Sequence, residues 1–181
     1  MRRQPGERVT RIQLPTIDGR SFDTDSLIGR PYMLSFFRFA TCPFCNLRLH
    51  ELVTRFTEFG SYFTIVAIFD SPLDHLTSQA AGHKAPFPIL ADERNQSYRA
   101  YNIEHSFVGM LKGMILRMPT LLKGMFMGYV PTTIKGSLTT MPADFLIDNR
   151  GIIRQVYYGR DEGDHLPFAR VKEFSLCPDS V

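Results

Sequence analysis

The stretch "RFATCPFCNLRLHEL", residues 38 to 52, decides how this chain is read. Cys42 and Cys45, two of the chain's three cysteines, sit here with two residues between them, and Pro43 directly follows the first. Upstream, "PYMLSFFRF" (31–39) is almost wholly apolar, as suits a strand buried on both faces. Downstream, Cys45, Leu49, Leu52, Val53, Phe56 and Phe59 recur at helical spacing. They predict a helix from about Pro43 to Phe59, ended by Gly60. Pro43 suits the first helical position, where the N–H it lacks would go unpaired anyway. Cys42 then falls at the cap, facing free amides and the positive end of the helix dipole. Both favour thiolate and pull its pKa below ~8.5. Cys45, nearly one turn on, returns to the same face. The spacing thus offers one exposed, acidic thiol and one sheltered partner able to attack a mixed disulfide on it.

Working outward, "YFTIVAIF" (62–69) and "FPILAD" (87–92) read as further buried strands. Between them "DSPLDHLTSQAAGHK" reads as a loop and short helix, with Ser71 or Asp74 as caps. "ERNQSYRAY" is helical. "ADFLID" (143–148) and "IIRQVYY" (152–158) flank "NRG" as a hairpin. "DHLPFARVKEF" closes the chain as a helix. "VTRIQLP" (8–14) and "IDGRSF" read as an N-terminal hairpin. The expected fold is α/β, a central mixed sheet flanked by helices. One domain over 1–181 is expected, with an N-terminal extension (1–30) and a helical insert (105–135).

Composition excludes several classes. The 181 residues are 44% hydrophobic and 22% charged, which is globular. A net charge of +3 with no run of basic residues argues against nucleic acid. The basic start "MRRQPGERVT" is followed by no apolar signal region, and no apolar run approaches the ~18 residues that span a bilayer. A cytoplasmic location is the expectation. Three cysteines are too few for a secreted disulfide framework. A structural zinc site wants four ligands, and the histidines (50, 75, 83, 105 and 165) form no close pair. C-x-x-C inside a βαβ pattern is the placement expected of a redox dithiol.

"ATCPFC" after a buried strand resembles the thioredoxin-like redox motif. "MPADFLIDNRGIIRQVYYG" (141–159) resembles that fold's second hallmark, a proline, usually cis, that opens the strand facing the cysteines. With "PTIDGRSFDTDSLIGRPYMLSFF" and "FPILAD", the chain from about 10 to 170, apart from 105–135, resembles the alkyl hydroperoxide reductase/thiol-specific antioxidant (AhpC/TSA) redoxins. The nearer resemblance is to peroxiredoxin-like members carrying CPFC. It implies a thioredoxin-like fold with Cys42 as nucleophile, Cys45 as resolving thiol and Pro142 as cis-proline. A cis Pro142 would leave the Met141 backbone open beside Cys42, so that an extended substrate could add as a strand. Thr41, Pro43 and Phe44 complete the implied site. No bound cofactor and no metal are implied; an external thiol must reset the pair.

The chain departs from the peroxidase pattern P-x-x-x-T-x-x-C. Counting back from Cys45 puts Cys42 at the threonine and Arg38 at the proline. The arginine such enzymes carry on the strand begun by Pro142 is missing. Arg38 is either a cation that lowers the thiol pKa or a surface residue at a strand end. Thr41 stands where thioredoxin has tryptophan, and the preceding strand has no acid. Asp144 could replace that acid if it points inward, though a solvent-facing strand position is the plainer expectation. Glu51 is expected on the solvated helix face. His165 with Asp164 reads as an acid/base pair or, more plainly, as a cap and the start of a helix. Cys177, in the tail, is a second resolving thiol, an intermolecular bridge or incidental.

The insert "SFVGMLKGMILRMPTLLKGMFMGYV" holds five of the eight methionines and no acid. Two helical pieces divided at Pro119 are expected. One has Phe107, Met110, Leu111, Met114 and Ile115 on a face; the other has Leu121, Leu122, Met125, Phe126 and Tyr129. Packing on the domain core is the plainest reading. Covering the site, forming a homodimer and shallow binding to an anionic membrane are alternatives.

Three activities are expected in order. The first is thiol–disulfide exchange with a protein or small-molecule disulfide. The second is reduction of hydrogen or alkyl peroxides through a sulfenic acid. The third is non-catalytic carriage of copper(I) by both thiolates.

Overall fold

The structure, a computed structural model, describes residues 1–131 and 133–177. Thr132 of the expected insert, and the tail beyond Cys177, lie outside the described residues. β1 (Gln13–Pro15) and β2 (Ser21–Asp23) form the N-terminal antiparallel hairpin. Gly19, at φ +82°, supplies the left-handed residue that its turn needs. The apolar runs then form β3 (Tyr32–Phe37), β4 (Thr64–Phe69) and the short β5 (Ile89–Ala91), all parallel. β6 (Ala143–Ile147) pairs antiparallel with β3, and β7 (Ile153–Tyr158) antiparallel with β6. The sheet order is β5-β4-β3-β6-β7, so β3 is central.

Every residue of β3, β4 and β6 is buried, because helices and loops cover both faces of the sheet. Met33 and Phe37 of β3 face one core, shared with α1 (Pro43–Thr54), α2 (Leu73–Ala80) and the closing helix, Phe168–Leu176. Leu34 and Phe36 face the other, shared with Tyr98 of α3 (Gln96–Ala100), Tyr101 and Ile12. Leu49 and Leu52 of α1 are fully buried. Each such side chain contributes about 1.5–3 kcal/mol. α1 ends at Thr54, five residues before the expected Phe59. A tight turn at Phe56–Glu58 follows and carries Phe56 to Phe87 and Phe59 to Phe168.

The insert folds as α4 (Phe107–Leu116) and α5 (Met118–Phe126). The break falls at Arg117, and Pro119 sits in the first turn of α5, where proline is tolerated. Its packing reverses the expectation. The fully buried residues are glycines, Gly109 and Gly113 of α4 and Gly124 of α5, and of the expected faces Leu121 packs half-buried against the core. A Cβ at Gly113 would lie 3.1 Å from the Glu162 amide nitrogen, and one at Gly124 3.0 Å from Pro43. Only a bare backbone approaches this closely. The apolar faces named from periodicity point largely outward: Phe107, Leu111, Met114, Ile115, Leu122 and Phe126 are exposed. α6 (Phe168–Leu176) completes the chain, beginning after Pro167.

Candidate active site

β3 delivers the chain to Arg38–Thr41, a buried loop. The Asn46 side chain clamps that loop by donating to the carbonyls of Ala40 (2.8 Å) and Cys42 (3.0 Å). Cys42 caps α1 in an extended conformation and Pro43 opens the helix, as the spacing predicts. Cys42 and Cys45 are both free, buried thiols. The Arg38 amide donates to Cys45 Sγ at 3.3 Å.

Arg38 is no surface residue. It is 2% exposed, and its Nη1 lies 3.6 Å from Cys42 Sγ and 3.0 Å from Glu162 Oε1. Its Nη2 donates to the Leu138 carbonyl. Its Nε is buried with no partner among the described residues. Burial pushes the Cys42 thiol up. Hydrogen bonding from the Cys45 side chain, the charge of Arg38 and the Cys45 amide more than reverse this, and the thiol is brought down to about 7. Glu162 works weakly against them. Burial and the hydrogen bond to Cys42 push the Cys45 thiol well up. The two groups divide into a thiolate and a retained thiol, the split that a dithiol cycle uses.

Cys42 was expected to be exposed; it is fully buried. The sequence suggests an open cap, but the segment after α5 roofs it. Thr41 Oγ1 donates to the Thr133 carbonyl at 2.9 Å, and Leu138 is tied to Arg38. Asp70 accepts from the Ser137 amide (3.1 Å) and Thr140 Oγ1 (2.9 Å), fixing the far end of the roof. α5 lies on Pro43 and Leu47. Phe44 is buried, its ring close against Gly163.

Pro142 is not cis: no described peptide bond is. The chain reaches it already extended, because residues 139–141 pair with 104–106. The Ser106 amide donates to Thr139 O (2.8 Å), the Met141 amide to Glu104 O (2.8 Å), and His105 bridges Thr140. The segment runs straight into β6, and the trans bond is favoured by ~0.5–1 kcal/mol without any turn to oppose it. Met141 is buried and its amide is already bonded, so its backbone is not open to a substrate strand.

Asp144, expected to face solvent, points inward and is fully buried. It accepts from Ser35 Oγ (2.5 Å) and the Leu166 amide (2.7 Å), and pairs with His165 Nδ1 at 3.1 Å. Burial pushes its carboxyl up, but His165, Arg48 and Ser35 overcome this and hold it below the usual range. His165 is therefore partnered by Asp144 and not by Asp164. Asp164 binds Tyr157 Oη (2.7 Å) and the Arg160 amide (2.8 Å), and caps no helix. Glu51 is half-exposed and paired with Arg48 and Arg55. Cys177 is exposed just past α6.

Glu162 and Leu138 are the site neighbours that sequence reasoning missed. A signal for Glu162 existed: "GRDEGDH" concentrates three acids after β7, opposite an acid-free insert. Arg117 of the insert does bind Asp161 there, at 2.7 Å. Among the described residues, no three His, Cys, Asp or Glu side chains gather closely enough to hold a metal.

A reduced dithiol at a helix cap beside the central strand of this mixed sheet defines the class, a thioredoxin-like thiol-dependent oxidoreductase. The chain belongs to the AhpC/TSA family, whose pattern matches residues 5–156. Among solved structures it is similar to a thiol peroxidase from Chromobacterium violaceum (TM-score 0.67, 14% identity, 96% of this chain and 87% of that one). It is also similar to a putative thiol:disulfide interchange protein DsbE from Chlorobium tepidum (TM-score 0.59, 16% identity, 96% and 94%). A thioredoxin family interchange protein from Chlorobium tepidum TLS gives TM-score 0.55 at 22% identity, covering 97% and 99%. At these identities the likeness is one of fold. A comparison with curated proteins gives no match.

Proposed function

We propose that the chain reduces a small oxidant, a hydroperoxide, through a Cys42–Cys45 dithiol cycle. The observation that carries this reading is the enclosure of Cys42 beside Arg38. A fully buried sulfur is reached by a small molecule far more easily than by a protein disulfide. The occupied Met141 amide removes the edge on which a peptide would dock. The Arg38 guanidinium stabilises the thiolate, and its unpaired Nε–H is a buried donor with spare capacity for a peroxide oxygen. It takes the part of the arginine missing from the strand after Pro142.

The thiolate of Cys42 attacks the nearer peroxide oxygen, the O–O bond breaks, and Cys42 becomes a sulfenic acid. The alkoxide leaves and takes a proton. Cys45 keeps its proton until this point, then condenses with the sulfenic acid, forming the disulfide and releasing water. Two equivalents of an external thiol restore the dithiol. Exchange with a disulfide substrate is the second reading. It uses the same sulfurs in the same order and is supported by the C-x-x-C spacing itself.

Stopped-flow mixing of the reduced protein with hydrogen peroxide separates the two. The expected result is fast loss of one equivalent of peroxide with formation of the Cys42–Cys45 disulfide. Cys42→Ser abolishes it, and Cys45→Ser stops at a sulfenic acid that dimedone traps. Peroxide consumption no faster than that of free cysteine, with rapid reduction of a protein disulfide, would establish exchange instead.

A further inference from the structure

We infer that the outward face of α4 and α5 docks on the surface of an anionic lipid bilayer. The helices spend their small residues on the protein and present their large ones to solvent. With Gly109 and Gly113 inward, a 100° step per residue puts Phe107, Leu111, Met114 and Ile115 on the opposite side of α4. In α5, the step from inward Gly124 puts Leu122 and Phe126 outward, with Met118 and Met125 flanking them. All eight are exposed, Phe126 at 89%. Soluble monomers rarely leave so many contiguous large apolar side chains uncovered.

Charge identifies the occupant. From His105 to Ala143 the chain has no Asp or Glu. Lys112, on the flank of the α4 apolar arc, and Lys123, beside Phe126, are exposed and form no ion pair among the described residues. Asp161 and Asp164 lie on the inner side, paired with Arg117, and Glu162 lies there against Gly113. An acid-free apolar face edged by lysines is complementary to anionic headgroups over acyl chains. The rings enter the boundary, and the lysine stems reach back to the phosphates. A second copy would bring the same lysines against each other with no acid between them. No described helix is long and apolar enough to cross a membrane, so the contact lies in the interface. α5 lies on Pro43 and Leu47, and the segment that follows it roofs Cys42, so docking places the bilayer beside the cover of the site.

The test is flotation of the full chain, reduced, with vesicles of phosphatidylcholine alone or mixed equally with phosphatidylglycerol. Binding is expected to the mixed vesicles and not to pure phosphatidylcholine. Each lysine contributes about 1 kcal/mol at such a surface. At ~1.4 kcal/mol per tenfold, Lys112→Gln with Lys123→Gln weakens binding roughly thirtyfold. Ile115→Ser with Phe126→Ser abolishes it with the fold retained by circular dichroism, since both side chains are exposed. Three results overturn the proposal: no partition to either vesicle, equal partition to both, or a dimer by sedimentation that the Ser variants dissolve.

Discussion

The sheet around the dithiol and the helical insert above it are both dense in apolar residues, yet they use them in opposite ways. In β3 and β4 every apolar side chain is inside, and polar groups in and just after β3 have buried partners: Ser35 has Asp144, Arg38 has Glu162. In α4 and α5 the closest contacts are made by glycine, with Leu121 beside them, and much of the apolar surface is left outside. The difference follows from what each packs against. Strands meet side chains of neighbouring elements, and volume fills volume. The insert comes so close to the Glu162 amide and to the Pro43 ring and Leu47 that only a residue without a Cβ lets a helix sit there. Apolar periodicity finds a face; it does not say which side of the helix is the inner one.

The largest expected effect lies on the sheet side of this comparison. Arg38 and Glu162 are a buried ion pair whose cation also neighbours Cys42. Arg38→Met leaves the Glu162 charge buried and unpaired, which typically costs 3–5 kcal/mol. It also removes the cation, so the Cys42 thiol rises. Adding Glu162→Gln is expected to recover much of the stability and none of the thiol acidity. Denaturant unfolding and thiolate absorbance against pH measure the two separately. A single variant that unfolds like the wild type, with its thiol unmoved, breaks the picture of a matched interior.

The fold was largely legible because its strands are short apolar runs bounded by turns, and the Cys42–Pro43 junction marks a helix start by local chemistry alone. Arg38 was visible as a candidate. What escaped notice depends on contacts across long sequence separations. Asp144 is inside because Ser35 of β3, the Leu166 amide and His165 converge on it, and none of the three is near it in sequence. Cys42 is covered because Leu138 and Thr133 return over it after a long excursion. The bond before Pro142 is trans because Glu104 and Ser106 hold the approach extended. Each is a pairing that local spacing does not encode.

A smaller effect is expected on the insert side. Gly124→Val places branched carbon against Pro43 and Leu47, where even a Cβ would be 3.0–3.2 Å away. Overpacking of this kind costs about 1–3 kcal/mol. Because α5 leaves rather than α1, the cost is expected as a lifted roof. Iodoacetamide is then expected to reach native Cys42 at least tenfold faster, while hydrogen exchange in β3 and β4 is unchanged. Global unfolding with equal loss of protection in the strands would mean that the insert and the sheet are one cooperative unit.

The smallest and sharpest effect belongs to the thiols. Hydrogen bonds from Cys45 and the charge of Arg38 bring the Cys42 thiol in the folded chain down to about 7, below the ~8.5 of an unfolded cysteine. Its folded value is depressed, so its contribution is fully present above ~8.5 and is lost as pH falls through about 7. Cys45 is shifted the other way by burial and by its hydrogen bond to Cys42. Its contribution is present below ~8.5 and declines as pH rises beyond it, because the unfolded chain releases a proton that the folded one keeps. The stability of the reduced protein, referenced to the Cys42→Ser, Cys45→Ser double variant, should therefore climb from pH 6.5, peak near 8.5 and fall above it. Cys42→Ser alone removes the climb and keeps the fall. Parallel curves for wild type and double variant would show two ordinary thiols, and the contrast between a matched interior and an unmatched exterior would lose its chemical consequence.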